Sequence, residues 1–198
     1  MVANIRSGSS PGGALHYNKE KVDRDEAKIL YWQQMLEPFD KHGRMDVDAC
    51  MESFRPYLEA NRRTTNTVFH VSLNPSPEDK LTNEQLREIA NEYMERMGYG
   101  NQPYIVFKHT DIDREHLHIV SLRIDENGRK LPHDFEVRRS MEILRDLERK
   151  YGLHPSVKGQ ELTDREGLRK VNYPEGNVKQ QVSSVVRSCL RNYKCSSY

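Results

Sequence analysis

Apolar and polar residues alternate along three stretches of the chain and recur at helical spacing along several others. The run TVFHVSL is rich in β-branched and aromatic residues and is stopped by Pro75 and Pro77, which predicts a strand over residues 66 to 73. PYIVFKHT (103 to 110) and EHLHIVSLRID (115 to 125) predict two more strands, joined by the short acidic turn Asp111-Ile112-Asp113-Arg114. So short a connection makes them an antiparallel hairpin. The Asn127-Gly128 turn signal then predicts that Arg129 to Leu131 returns as a short edge strand.

Helical signals run from about Asp25 to Glu37 and from about Asp46 to Arg62, broken at Pro38 and Lys41-His42-Gly43. Thr82 and Gln85 have capping-box spacing, with Leu81 and Leu86 placed as a hydrophobic staple. The helix that starts there has Leu86, Ile89, Ala90, Tyr93 and Met97 on one stripe and Gly98 where a left-handed C-terminal cap belongs. Val137, Met141, Leu144, Leu147 and Tyr151 space another helix, ending at Gly152. The Ser/Gly/Pro-rich stretch SGSSPGG (7 to 13) reads as a loop. A last helix is marked by Val178, Val182, Val185, Val186, Leu190 and Tyr193. Little sequence remains to cover its apolar face, so the expectation is a chain that forms part of a longer protein.

At 198 residues the chain suits one compact domain with an extension at one end. Its 31 Lys plus Arg balance 30 Asp plus Glu, so any nucleic-acid footprint must come from local clustering. Residues 163 to 195 hold seven basic residues against three acidic ones. Such a segment either follows a phosphate backbone or is a solvated basic helix face. Cys50, Cys189 and Cys195 are odd in number and lack CxxC pairing, which disfavours a disulfide framework and a zinc ribbon and fits a reducing cytoplasm. The start MVANIRSGSSPGG has no apolar secretion core, and no stretch offers the roughly 18 apolar residues of a membrane span. A soluble protein without membrane insertion is expected.

The segment HTDIDREHLHIV (109 to 120) carries three histidines in twelve residues. Side chains at i and i+2 of a strand leave the same face, so His116 and His118 point together, and the tight hairpin can bring His109 alongside. Three neutral imidazoles hold a divalent ion on one side and leave its other positions for water or a substrate oxygen. Imidazole ligation leaves the ion open among Zn, Mn, Ni and Fe. Asp111 is placed to orient an imidazole or to take a proton, or is an ordinary turn residue. His70, in mid-strand, reads as a satisfied core or near-site histidine.

The chain has no GxSxG elbow and no cysteine in an activating setting. Hydrolysis by metal-bound water is one route left. The other uses Tyr17, which follows the Gly-rich loop and precedes Lys19 and Lys21, cations that favour a phenolate and can hold a phosphate.

HTDIDREHLHIV resembles the third motif of plasmid and transposon relaxases, the HUH-type mobilisation nucleases. Their H-x-D followed by H-x-H falls here on His109, Asp111, His116 and His118. GGALHYNKEKV resembles the first motif of the family, with Tyr17 at the catalytic tyrosine, and VFHVSLNPSPEDKLT resembles the second. The likeness spans about residues 5 to 152 in the expected order.

The resemblance implies an α+β domain with a central antiparallel sheet flanked by helices. Residues 1 to 153 would be the nuclease core and 154 to 198 a basic helical extension. It implies a bacterial, cytoplasmic enzyme that nicks one strand at an origin of transfer and so starts conjugative mobilisation, with accessory mobilisation and coupling proteins as further partners. In this reading Tyr17 attacks the scissile phosphate to leave a 5′-phosphotyrosine link. His109, His116 and His118 hold the ion, Mn or Mg first and Zn or Ni second, and no nucleotide is consumed. Single-stranded DNA would meet Arg6, Lys19, Lys21, Arg187 and Arg191. No second tyrosine clusters beside Tyr17, which implies a single-tyrosine mechanism. Rolling-circle replication initiators share the chemistry but usually place the tyrosine after the HxH strand. The remaining rivals are a phosphodiesterase using metal-bound water and a DNA-binding module whose histidines only stabilise the fold.

Overall fold

The computed structural model of the protein describes residues 1–111 and 115–156, together with Val178, Gln181, Val182, Val185 and Val186. The chain divides into two units, Met1–Ser156 and Val157–Tyr198. In the second unit the five described residues are helical, as their spacing predicts; Leu190 and Tyr193 lie outside the described residues.

The first unit is an α+β domain. Its elements are β1 (Val2–Gly8), α1 (Pro11–Asp23), β2 (Ala27–Gln33), α2 (Val47–Ala60), β3 (Val68–Asn74), α3 (Asn83–Arg96), β4 (Tyr104–His109), β5 (His116–Leu122) and α4 (Glu136–Tyr151). The strands form one antiparallel sheet in the order β1-β3-β5-β4-β2. The three strands expected from their β-branched and aromatic runs are the three inner ones. Inner strands must be apolar on both faces, so they carry the clearest pattern.

Each face of the sheet has its own core. Phe69, Val71, Leu73, Tyr104, Val106, Leu117 and Ile119 pack with Leu86, Ile89, Ala90 and Tyr93 of α3 and Ile143, Leu144 and Leu147 of α4. The stripes predicted for both helices thus supply these inward residues. On the opposite face Val68, Ile105, Phe107, Val120 and Leu122 pack with Leu15 of α1 and with Cys50 and Phe54 of α2. Burial of each large apolar side chain contributes about 1.5–3 kcal/mol. The Arg123 guanidinium, buried at the end of β5, donates to both carboxylate oxygens of Glu136 at 2.8 and 2.9 Å and so ties the start of α4 to the sheet.

Local signals set the helix ends. Thr82 and Gln85 form the expected reciprocal capping box, and Gly98 and Gly152 take positive φ of 88° and 64°. Asp46 caps α2 by accepting from the Asp48 and Ala49 amides. The predicted return at 129 to 131 is reduced to a single bridge, Ile124 to Lys130.

Two expectations are corrected. Residues 27–33 form β2, not part of a helix from 25 to 37. The Ala, Lys, Gln, Met and Glu around this segment favour a helix, but Asp25 turns the chain with φ of 58°, and Ile29, Tyr31 and Trp32 gain ladder partners on β4. The stretch 7–13 is likewise no loop: β1 runs through Gly8 and α1 begins at Pro11. Ser10 accepts from the Gly13 amide at 3.0 Å, and Pro11 presets φ at the first helical position, so the Ser-Pro pair is a helix start. Tyr17 therefore stands on a helix.

Candidate active site

The sheet face under α1 changes character along its length. At one end it carries the apolar set from Val68 to Leu122; at the other, the same pleat presents His70 and Ser72 on β3, His116 and His118 on β5, and His109 on β4. Register fixes the histidines. His109 pairs directly with His116 across the β4–β5 ladder, and His118 lies opposite Ser72.

One ligand atom from each of His109, His116 and His118 lies within 4.8 Å of the others. The rings of His109 and His118 stack at 4.2 Å between centroids. His70 adds a fourth imidazole, its Nε2 2.9 Å from His118 Nδ1. With His118 Nδ1 engaged by His70, its Nε2 is the atom left for a ligand.

Burial pushes the imidazoles of His109 and His70 down to about 4 and that of His118 to about 2; the neighbouring imidazoles reinforce the effect at His109 and His118, and Arg6 at His70. All three are neutral at pH 7, the form that ligates. Among the described residues, the Nδ1 of His109 is buried with no hydrogen-bond partner. A cluster of neutral imidazoles with an unpaired ring nitrogen fits a divalent cation.

Asp111 stands at the rim, where its Oδ2 meets the Lys21 ammonium at 2.9 Å and its Oδ1 lies 3.7 Å from His116 Nε2. Burial raises its carboxyl, but the Lys21 hydrogen bond and charge outweigh this and hold it below the usual carboxylate range. Glu26 and then Asp111, through their hydrogen bonds, push the Lys21 ammonium up, so Lys21 remains charged. Ile112, Asp113 and Arg114 lie outside the described residues.

Tyr17 stands over this cluster from α1. Its ring lies 6.4 Å from His109 and 6.2 Å from His118 between centroids, and it is 46% exposed. A cavity of about 360 Å³ opens beside it, lined among others by Tyr17, His70, His116, His118, Ser72 and Arg6. Arg6 stands on edge strand β1 opposite His70, exposed and without a carboxylate partner among the described residues. Lys19 pairs with Asp23 on the outer side of α1. Arg187 and Arg191 lie outside the described residues.

A family model described as Relaxase, MobA/VirD2-like, nuclease domain, matches residues 17–153. The chain belongs to this relaxase family. The matched span opens on Tyr17 and takes in all four site histidines. The relaxase domain is also similar to Protein rlx of Staphylococcus aureus, 25% identical over 130 residues that cover 65% of this chain and 34% of that protein. The chain thus spans about a third of that relative's length. Among the described residues, no helix of the relaxase domain is long and apolar enough to cross a membrane.

Asn18 and Ser72 escaped the sequence reading, and His70, expected as a core or near-site histidine, is near the site through a contact with His118 that the sequence did not foretell. Asn18, wholly buried on α1, has its Oδ1 2.8 Å from His109 Nε2. The available signal was a polar residue inside the stripe Leu15, Asn18, Val22, visible once a helix is assigned there. The hydrogen bond of His70 to His118 depends on a cross-strand register that alternation does not give. Ser72 follows His70 on the same pleat, and an isolated serine carries no signal.

Proposed function

We propose that this domain nicks single-stranded origin-of-transfer DNA by transesterification, with Tyr17 as nucleophile, and so initiates mobilisation of a plasmid or transposon. The observation that carries the reading is a solvent-reachable phenol standing over a trio of neutral imidazoles. The Tyr17 oxygen attacks the phosphorus of the scissile phosphodiester and the bond to the 3′ oxygen breaks. A 5′-phosphotyrosine link forms, the phenolic proton passes to solvent, and the 3′ oxygen takes a proton from solvent and leaves as a hydroxyl. One phosphodiester replaces another, so the step runs in both directions without a nucleotide.

His109, His116 and His118 hold a divalent ion, Mn or Mg in the first place and Zn or Ni in the second. Such an ion neutralises charge on the non-bridging phosphate oxygens. Asp111 orients His116, and Lys21 keeps that carboxylate charged and compensated. Arg6 and Lys19 bind flanking phosphates, and Arg187 and Arg191 extend the footprint. Residues 1–153 form the catalytic core and 154–198 a basic extension, working in the bacterial cytoplasm with accessory mobilisation and coupling proteins.

Incubation with single-stranded origin DNA and Mn²⁺ is expected to give a covalent protein–DNA adduct whose peptide map locates the link at Tyr17. Cleavage that continues without an adduct would move the assignment to a water-using phosphodiesterase.

A further inference from the structure

We infer that Asn18 is a positioning residue that locks His109 in its Nε2–H tautomer, so that Nδ1 is the atom this histidine offers to a cation. The inference rests on the three-histidine ion site proposed above.

The hydrogen bonds around Asn18 admit one solution. Its Nδ2 donates to the Ala14 carbonyl at 2.8 Å, one turn back on α1. That bond fixes the amide orientation, because a flipped amide would set its oxygen against the Ala14 oxygen. Asn18 Oδ1 therefore faces His109 Nε2 at 2.8 Å, as an acceptor only. The imidazole must supply the proton there. A neutral ring carries one N–H, so its other nitrogen is a bare lone pair. That nitrogen, Nδ1, is the one left buried without a partner.

An unpaired buried acceptor is destabilising, and among the described residues no hydrogen bond offsets it. An asparagine wholly buried on the apolar stripe of a helix is a second cost unless it is satisfied, which His109 and Ala14 do. Both are explained together if the lone pair is kept bare for a cation. Outer partners of this kind set the tautomer and ring angle of ligating histidines.

The residue that sets this lone pair directly follows the residue that presents the phenol. A movement of α1 thus shifts the phenol and the hydrogen-bond partner of His109 together.

Long-range ¹H–¹⁵N correlation spectra of the metal-free protein report the tautomer directly. His109 is expected as Nε2–H in the natural sequence and as a mixture in Asn18→Leu, which keeps the branched shape and removes the acceptor. By calorimetric titration with Mn²⁺ alone, Asn18→Leu should bind roughly 10–100-fold more weakly. Asn18→Asp retains an acceptor for Nε2–H but sets its second oxygen against the Ala14 carbonyl, so it should keep the Nε2–H tautomer and bind Mn²⁺ less tightly than the natural protein and more tightly than Asn18→Leu. An Nδ1–H tautomer in the natural protein, or Asn18→Leu binding Mn²⁺ as well as the natural protein, overturns the inference. Failure of the natural protein to bind Mn²⁺ overturns the ion site and with it this role, and the tautomer spectrum tells that failure from a wrong assignment of the hydrogen bond.

Discussion

The Tyr17 ring lies nearly parallel to that of His109, its plane inclined by 20° and its centroid 6.4 Å away. That separation is within the range of offset-stacked rings, so the phenol stands against the cluster from α1. Tyr17→Phe should therefore cut adduct formation on the order of 10³-fold or more, by removing the attacking oxygen. Affinity for Mn²⁺ and for uncleaved single-stranded DNA should stay within about twofold, since neither uses that oxygen alone. Gel separation of the adduct and anisotropy with a labelled oligonucleotide check the two halves.

His118 is the imidazole that both stacks on His109 and bonds to His70. His118→Ala removes a ligand and leaves His70 without its partner. Loss of an outer partner alone costs 10–100-fold, so loss of this ligand should weaken Mn²⁺ binding by more than about 100-fold. Chelation should stop adduct formation by the natural protein, and added Mn²⁺ should restore it there but not in the variant. Nicking that persists in excess chelator would remove the ion from the reaction.

Arg6 has no acid partner among the described residues and lies on the open edge of the cavity. One phosphate contact to a single strand contributes a slope of about 0.7 to the dependence of log affinity on log salt. Arg6→Ala should reduce the measured slope by about that amount and weaken binding uniformly across sequences. An unchanged slope would place Arg6 outside the DNA path. The same measurement on Lys19→Ala separates a phosphate contact from the surface pair with Asp23.

Acid should loosen the metal-free protein. The folded-state imidazoles of His109 and His70 titrate near 4 and that of His118 near 2, whereas an unfolded histidine titrates near 6.5. Between those values the unfolded chain binds more protons, so stability is full above about pH 6.5 and falls as pH drops towards 4. Each pH unit between the folded and unfolded titration points corresponds to about 1.4 kcal/mol, so three such groups should cost several kcal/mol, read from denaturant midpoints across that range. Replacing His109 by Asn should flatten the profile, and a profile already flat in the natural protein would contradict the buried neutral cluster.

Legibility in the sequence followed burial. β3, β4 and β5 were readable because inner strands are apolar on both faces, and α3 because Thr82, Gln85 and Gly98 mark both of its ends. The histidine cluster was readable because a strand has a side-chain period of two and a short turn leaves little freedom of register. β1 and β2 were missed because an edge strand gains half its pairing from one neighbour, and VANIRSG and AKILYWQ show no clean alternation. Asn18 was missed for a different reason. Its role depends on α1 lying across the sheet end, and residues 7–13 read as a loop once Ser10 and Pro11 were taken as turn residues and not as a helix start.

The strand order separates two tasks. The histidines stand on β3, β4 and β5, each held by a neighbour on both sides, whereas Arg6 and Asn4 stand on β1, which has only one. If Arg6 contacts DNA as proposed, substitutions on that outer strand would change the border of the nucleic-acid path while the histidine cluster keeps its geometry, so the two could vary independently.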